Sequence, residues 1–180
     1  MTNGTRGYFG VGVERISKPM NLGNLMRSAH AFGAQFFFTI DSPLGAEARQ
    51  SDTSGSRDHM PLWRYRSVAE LSLPERCTLV GVEFADDAVD LPAFPHPLAA
   101  AYVLGPERGS LSDELVARCD HLVKIPTKFC VNVGVAGAIV MYDRMLATGR
   151  FGARPLNPRQ AAEPPAPHVQ GAPQIRKPRG

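Results

Sequence analysis

Phe36 to Ile40 reads Phe-Phe-Phe-Thr-Ile, a short apolar run with no alternating polar side. A run of this length suits a strand, and without a solvent-facing side it must be covered on both faces. The rest of the chain supplies the cover. Strands are predicted over 8–14, 35–40, 79–84, 101–104 and 121–125, with a shorter one holding Trp63 and Tyr65. Helices are predicted over 21–32, closed by Gly33, over 112–118 with Ser112 as N-cap, and over 133–148. A further small helix is expected around Val68 to Leu71. Strands that alternate with helices imply an α/β layered fold, a mainly parallel sheet flanked by helices. Ligands in such sheets bind beyond the carboxyl ends of the strands.

The chain has 180 residues, enough for one domain with a real core and too few for two. That domain is placed at 1–150. From Phe151 onward Pro, Ala, Gln and Arg dominate without apolar periodicity, so 151–180 is expected to be a disordered Pro/Arg-rich tail. The formal charge of +3 is uneven. The tail carries +4 (Arg154, Arg159, Arg176, Lys177 and Arg179 against Glu163), leaving the body at −1. Net charge alone does not mark a nucleic-acid binder, although the early basic residues and the tail together suit one. No apolar run approaches a membrane span and no signal peptide is visible, so a cytoplasmic protein with no membrane role is expected. Cys77, Cys119 and Cys130 form no C-x-x-C pair, and the five histidines show no ligand spacing. Reduced thiols and no metal are the expectation.

Three polar loops at strand–helix junctions carry the chemistry. The first follows strand one, Asn21-Leu22-Gly23-Asn24-Leu25-Met26-Arg27. Asn21 stands where a helix N-cap belongs, and Arg27, nearly two turns on, is expected on roughly the same face. The second, Leu104-Gly105-Pro106-Glu107-Arg108-Gly109, leaves an apolar strand with two glycines that permit close backbone approach to a ligand. It is neither a P-loop nor a dinucleotide fingerprint. The third runs from Ile125-Pro126 through Cys130-Val131 to Asn132, where a helix of small residues begins. Cys130 reads as a buried small apolar residue, the commoner fate of a free thiol, since a catalytic thiol wants a base or positive charge beside it and nothing fixes Lys128 toward the sulfur.

In this order the loops resemble the SpoU (TrmH-like) branch of the SPOUT RNA methyltransferases. The family's N-x-G-x-x-x-R followed by an aromatic–Gly pair corresponds to Asn21, Gly23, Arg27 and Phe32-Gly33. Its G-x-E-x-x-G corresponds to Gly105, Glu107 and Gly109, and its Ile-Pro loop leading to S-L-N-V to Ile125, Pro126 and Asn132-Val133. Cys130-Val131 replaces the family's Ser-Leu. The resemblance covers about Tyr8 to Thr148, without the family's frequent N-terminal RNA-binding extension.

The resemblance implies a SPOUT α/β knot, with a C-terminal trefoil knot, and a homodimer acting on tRNA or rRNA, with tRNA favoured. It implies S-adenosyl-L-methionine as cofactor, held near Val82, Glu83, Leu104, Gly105, Gly109, Ile125, Pro126, Cys130 and Val131. Arg27, Asn21, Glu107 and Asn132 are the implied catalytic set. Arg27 serves either as the base with phosphate help, or as a cation that orients phosphate and stabilises the developing oxyanion. The alternative is a catalytically inactive RNA-binding module of the same fold, which the Cys130 departure raises. A dehydrogenase is the third reading, opposed by the missing G-x-G-x-x-G.

Overall fold

The computed structural model describes residues 7–44, 60–149 and 151. Seven strands, all parallel to their neighbours, form one sheet: β1 (Tyr8–Glu14), β2 (Phe36–Ile40), β3 (Leu62–Tyr65), β4 (Thr78–Val82), β5 (Val89–Asp90), β6 (Ala99–Leu104) and β7 (His121–Lys124). Their order is β3-β2-β1-β6-β4-β7-β5. Among the described residues three α-helices accompany the sheet: α1 (Pro19–Ala31) links β1 to β2, α2 (Asp113–Arg118) links β6 to β7, and α3 (Val133–Thr148) follows β7. From β1 the chain steps outward to β2 and β3, while β6 leads the other way to β7. The loops leaving the adjacent strands β1 and β6 therefore diverge and open a crevice at their carboxyl ends.

The register explains the sequence of β1, in which apolar residues alternate with glycine. Phe9, Val11 and Val13 face a core built with Leu22, Leu25 and Met26 of α1 and Val133, Val140 and Met141 of α3. Gly10 and Gly12 lie on the other face, where a Cβ at either would overlap the ring of Phe36 or Phe38. Those rings belong to the second core, and Phe36 stacks on Trp63 with centroids 4.7 Å apart. Every residue of β2 is buried, as the apolar run requires. On the opposite face α1 and α3 meet at Gly137, where a Cβ would overlap Leu25.

α3 begins and ends where the sequence places it, and Ser112 caps α2 by accepting from Leu115 N at 3.2 Å. Other expectations are corrected. α1 starts at Pro19, because proline suits the first helical position, so Asn21 lies inside the first turn and not at the cap. Residues 68–71 form one turn, closed by Leu71 N donating to Val68 O at 3.0 Å, with no helix. The Arg118 guanidinium donates to the carbonyls of Val68 and Leu71 at either end of this turn. β4 ends at Val82, leaving Glu83 and Phe84 in the following loop. The two-residue β5 and the 3-10 turn Leu91–Ala93 were not anticipated. The expected loop at 41–58 is described only to Leu44, and the tail beyond Phe151 lies outside the described residues.

At the amino end of the sheet, Arg144 of α3 is 1 % exposed. It donates to the carbonyls of Pro97 and Leu98 and to Tyr102 Oη, and lies against the rings of Phe9 and Tyr102. His96 joins this group, with Nδ1 2.7 Å from Tyr102 Oη and Nε2 2.9 Å from Asp143 Oδ2. Burial lowers the His96 pKa, and the hydrogen bond to Asp143 opposes that shift. This network anchors α3 at the end of the sheet opposite the crevice.

Candidate active site

The carboxyl ends of β4, β6 and β7 and the first turns of α1 and α3 enclose a cleft of about 320 Å³, within the size range of small-molecule sites. Val82, Leu104, Ile125, Val131, Val133 and Ala136 give it apolar walls, while Glu83, Thr127 and Asn132 supply polar groups. Of the residues expected around a cofactor, Val82, Glu83, Leu104, Gly105, Gly109, Ile125, Cys130 and Val131 line it. Pro126 does not; it is exposed, and its effect is to end β7. Lys18, Phe84, Lys124 and Thr127 also line the cleft and were missed, since nothing in their local sequence distinguishes them. At Gly105 a Cβ would stand 3.3 Å from Leu111 N, so the backbone there is already close-packed against the next loop.

At the mouth of the cleft three residues far apart in sequence join in one relay. Asn132 Oδ1 caps α3 by accepting from Gly134 N at 2.9 Å. Asn132 Nδ2 donates to Asn21 Oδ1 at 3.1 Å, and Asn21 Nδ2 donates to Glu107 Oε1 at 3.2 Å. The direction of this relay is fixed from both ends. A backbone N–H only donates and a carboxylate only accepts, so neither amide can flip without setting donor against donor. Glu107 also accepts from Ser17 N (3.2 Å), Ser17 Oγ (3.1 Å) and Lys18 N (2.9 Å). Burial pushes its pKa up, but the hydrogen bonds from its own N–H, Ser17, Lys18 and Asn21 outweigh that and hold it below the ordinary value.

Two further carboxylates fasten the loop after β6. Glu83 Oε2 accepts from Leu111 N at 2.7 Å. Glu14, 2 % exposed, accepts from Ser112 N at 2.8 Å and from Ser112 Oγ. Arg15, at φ 51°, donates to Ser110 O at 2.8 Å. A charge buried at a strand end needs such partners, and Glu14 at the end of an apolar strand is the signal that sequence reading passed over. Gly109, at φ 98°, stands four residues after Gly105, one short of the G-x-E-x-x-G spacing, and Ser110 takes the fifth place.

Arg27 does not join the relay. Six residues turn a helix by about 240° beyond full turns, not back to the same face. Asn21 is 8 % exposed and faces the cleft, whereas Arg27 is exposed on the outer side of α1. Cys130 is exposed at the cleft wall, so it is not the buried apolar residue that its alternative reading required.

A family model described as the SpoU rRNA Methylase family matches residues 9–142. The tRNA (guanosine(18)-2'-O)-methyltransferase of Thermus thermophilus is 28% identical over 141 residues, 73% of this chain and 71% of that one. The mouse protein tRNA (guanosine(18)-2'-O)-methyltransferase TARBP1 is 28% identical over 137 residues, 71% of this chain but 9% of its own length. Among solved structures, the SpoU methyltransferase AviRb from Streptomyces viridochromogenes, in complex with the cofactor AdoMet, superposes with a TM-score of 0.71 at 24% identity. That match covers 81% of this chain and 60% of AviRb.

Proposed function

We propose, from the premise that this chain belongs to the SpoU rRNA methylase family, that it is an S-adenosylmethionine-dependent RNA 2'-O-ribose methyltransferase. The observation that carries the reading is the Asn132–Asn21–Glu107 relay at the mouth of a cleft lined by the residues expected to hold the cofactor. The cleft fits such a group, with apolar walls for an adenosine, carboxylates near a cation and a close-packed Gly105 backbone. Held by residues such as Val82, Gly105, Ile125 and Val131, the cofactor would supply a methyl on a positively charged sulfur to the ribose hydroxyl, leaving a neutral thioether, and the hydroxyl proton would pass to a base or to water.

The protein's own groups divide the remaining work. Glu107 is a poor base, because four donors occupy its oxygens and its pKa is held low. It acts as a positioning anchor that locks the loops after β1 and β6 together. Through Asn21 it orients Asn132, whose exposed amide stands at the cleft mouth to meet the ribose. Arg27 then serves beside the acceptor, either as the base with phosphate help or as a cation that orients phosphate and stabilises the developing oxyanion.

Arg27 faces away from its own cleft, so the proposal includes a homodimer in which it serves the partner's cleft. Val135, Tyr142 and Leu146 form an exposed apolar stripe along α3 at helical spacing. Met20, 72 % exposed, and Phe129, 75 % exposed, lie near its start, and Gly134 packs against Asn24 of α1. Such a surface favours burial against a second copy. Threading of the C-terminal segment into a knot and a cytoplasmic setting belong to the same proposal. Among the described residues no helix is long and apolar enough to cross a membrane. tRNA is favoured over rRNA as substrate because relatives named for tRNA match over most of the domain.

The test is incubation with methyl-labelled S-adenosylmethionine and separate tRNA and rRNA pools, followed by mass-spectrometric mapping of ribose methylation. Label at a 2'-oxygen is expected. Cofactor binding without transfer to either pool would instead favour the inactive RNA-binding module. Mixed dimers of Arg27→Ala and Asn132→Ala subunits should regain activity that neither variant has alone. Continued inactivity of the mixture would overturn the trans arrangement.

A further inference from the structure

We infer that a second, open cleft on the far side of Glu107 holds phosphodiesters flanking the acceptor ribose, through Arg108 and Lys18. This rests on the methyltransferase reading and deepens it. The cleft measures about 930 Å³ and is bounded by Arg15, Lys18, Arg108, Ser110, Ser112 and Asp113. Lys18, Pro106, Glu107 and Gly109 line both clefts, so the relay forms the wall between them. A methyl donor in the smaller cleft and a polymer in the larger one would meet at that wall. A cleft of this size, open to solvent beside the site, has room for a chain that continues past the acceptor.

The charges single out two residues. Arg15 is committed, since it donates to Ser110 O and stands 3.6 Å from Glu14. Glu107 is saturated by its four donors. Arg108 and the Lys18 ammonium are exposed and have no hydrogen-bond or ion-pair partner among the described residues. Asp113 is the opposing charge on the rim, which leaves the larger cleft a net cation surface at the entrance to the wall. Fixed loops carry both cations: Lys18 flanks α1 and donates its backbone N–H to Glu107, and Arg108 directly follows Glu107. Cations at fixed positions set the register of a phosphate backbone, and each phosphate contact adds to the salt dependence of binding.

The test is equilibrium binding of unfractionated tRNA and of a short unstructured oligoribonucleotide to the full chain across a salt series. The variants are Arg108→Ala, Lys18→Ala/Arg108→Ala and, as control, Arg76→Ala. Arg76 is an exposed cation just before β4, at the opposite end of the sheet. Arg108→Ala should lower affinity about threefold to tenfold and reduce the salt slope by about one, and the double variant should reduce it by about two. S-adenosylmethionine affinity should be unchanged in Arg108→Ala, because Arg108 does not line the smaller cleft. Wild-type RNA affinity and slope in the double variant, or an equal loss in Arg76→Ala, would overturn the inference. Failure of the methyltransferase reading would show separately, as wild-type protein that transfers no methyl. The binding comparison decides the role of Arg108 and Lys18 in either case.

Discussion

Replacing Glu107 with glutamine changes one oxygen to an amide and tests the relay at its anchor. The carboxylate accepts four hydrogen bonds between 2.9 and 3.2 Å. The least disruptive amide orientation keeps its oxygen toward Lys18 N and Asn21 Nδ2 and turns its NH2 toward Ser17. There the Ser17 hydroxyl can rotate to accept, but the Ser17 N–H is left facing another donor. The opposite orientation is worse, because it forces Asn21 and then Asn132 to flip and strips Gly134 N of its cap. Bonds to a charged acceptor are worth about 1.5–3 kcal/mol and neutral ones about 0.5–1.5. Glu107 is only partly buried, so screening reduces that difference, leaving a cost of about 1–2 kcal/mol. In urea this is a midpoint shift of roughly 0.5–1 M.

The same variant has a pH signature. The Glu107 pKa is lower in the folded protein than the ordinary 4.5, so its contribution is complete above that value. It is lost as pH falls through the folded pKa. Wild type and Glu107→Gln should therefore differ in urea stability at pH 7 and converge in acid. Equal stability at pH 7, or a difference that persists unchanged below the folded pKa, would refute the argument that the ionised carboxylate holds the two loops together.

Gly137→Ala should destabilise by about 1–3 kcal/mol, because its Cβ overlaps Leu25 where α3 crosses α1; thermal unfolding measures it. Arg144→Met should cost about 3 kcal/mol in denaturant unfolding, since it strips donors from Pro97 O, Leu98 O and Tyr102 Oη. The His96 pKa is lowered by burial, so stability should decline as pH falls below its ordinary 6.5, and His96→Gln should lack that decline in a pH series of melts. Arg27→Ala should abolish methyl transfer yet leave thermal stability within about 0.5 kcal/mol, as befits an exposed residue.

Local chemistry determined what was legible in the sequence. Asn132 reads as the cap of α3 because a polar residue there meets free helix N–H groups, and the structure agrees. The doubly buried β2 and the Ser112 cap were legible for similar reasons. The start of α1 was misread because Pro19, with no side-chain cap before it, competes with the more familiar signal of Asn21. That shift gives Asn21 its role, since its amide is free to bridge Glu107 and Asn132. Strand β5 is too short to show periodicity. The loop-fastening bonds of Glu14 and Glu83 depend on contacts across the sheet end that no local pattern announces.

The most direct test of the central claim is calorimetric titration of the wild-type protein and of Gly105→Val with S-adenosylmethionine. A valine at that position would press on the Ser110–Leu111 backbone and approach Glu83 of the cleft wall. One cofactor per chain is expected to bind the wild type, with binding lost in a variant whose melt confirms that it is folded. No binding to the wild type, or equal binding to folded Gly105→Val, would contradict that claim.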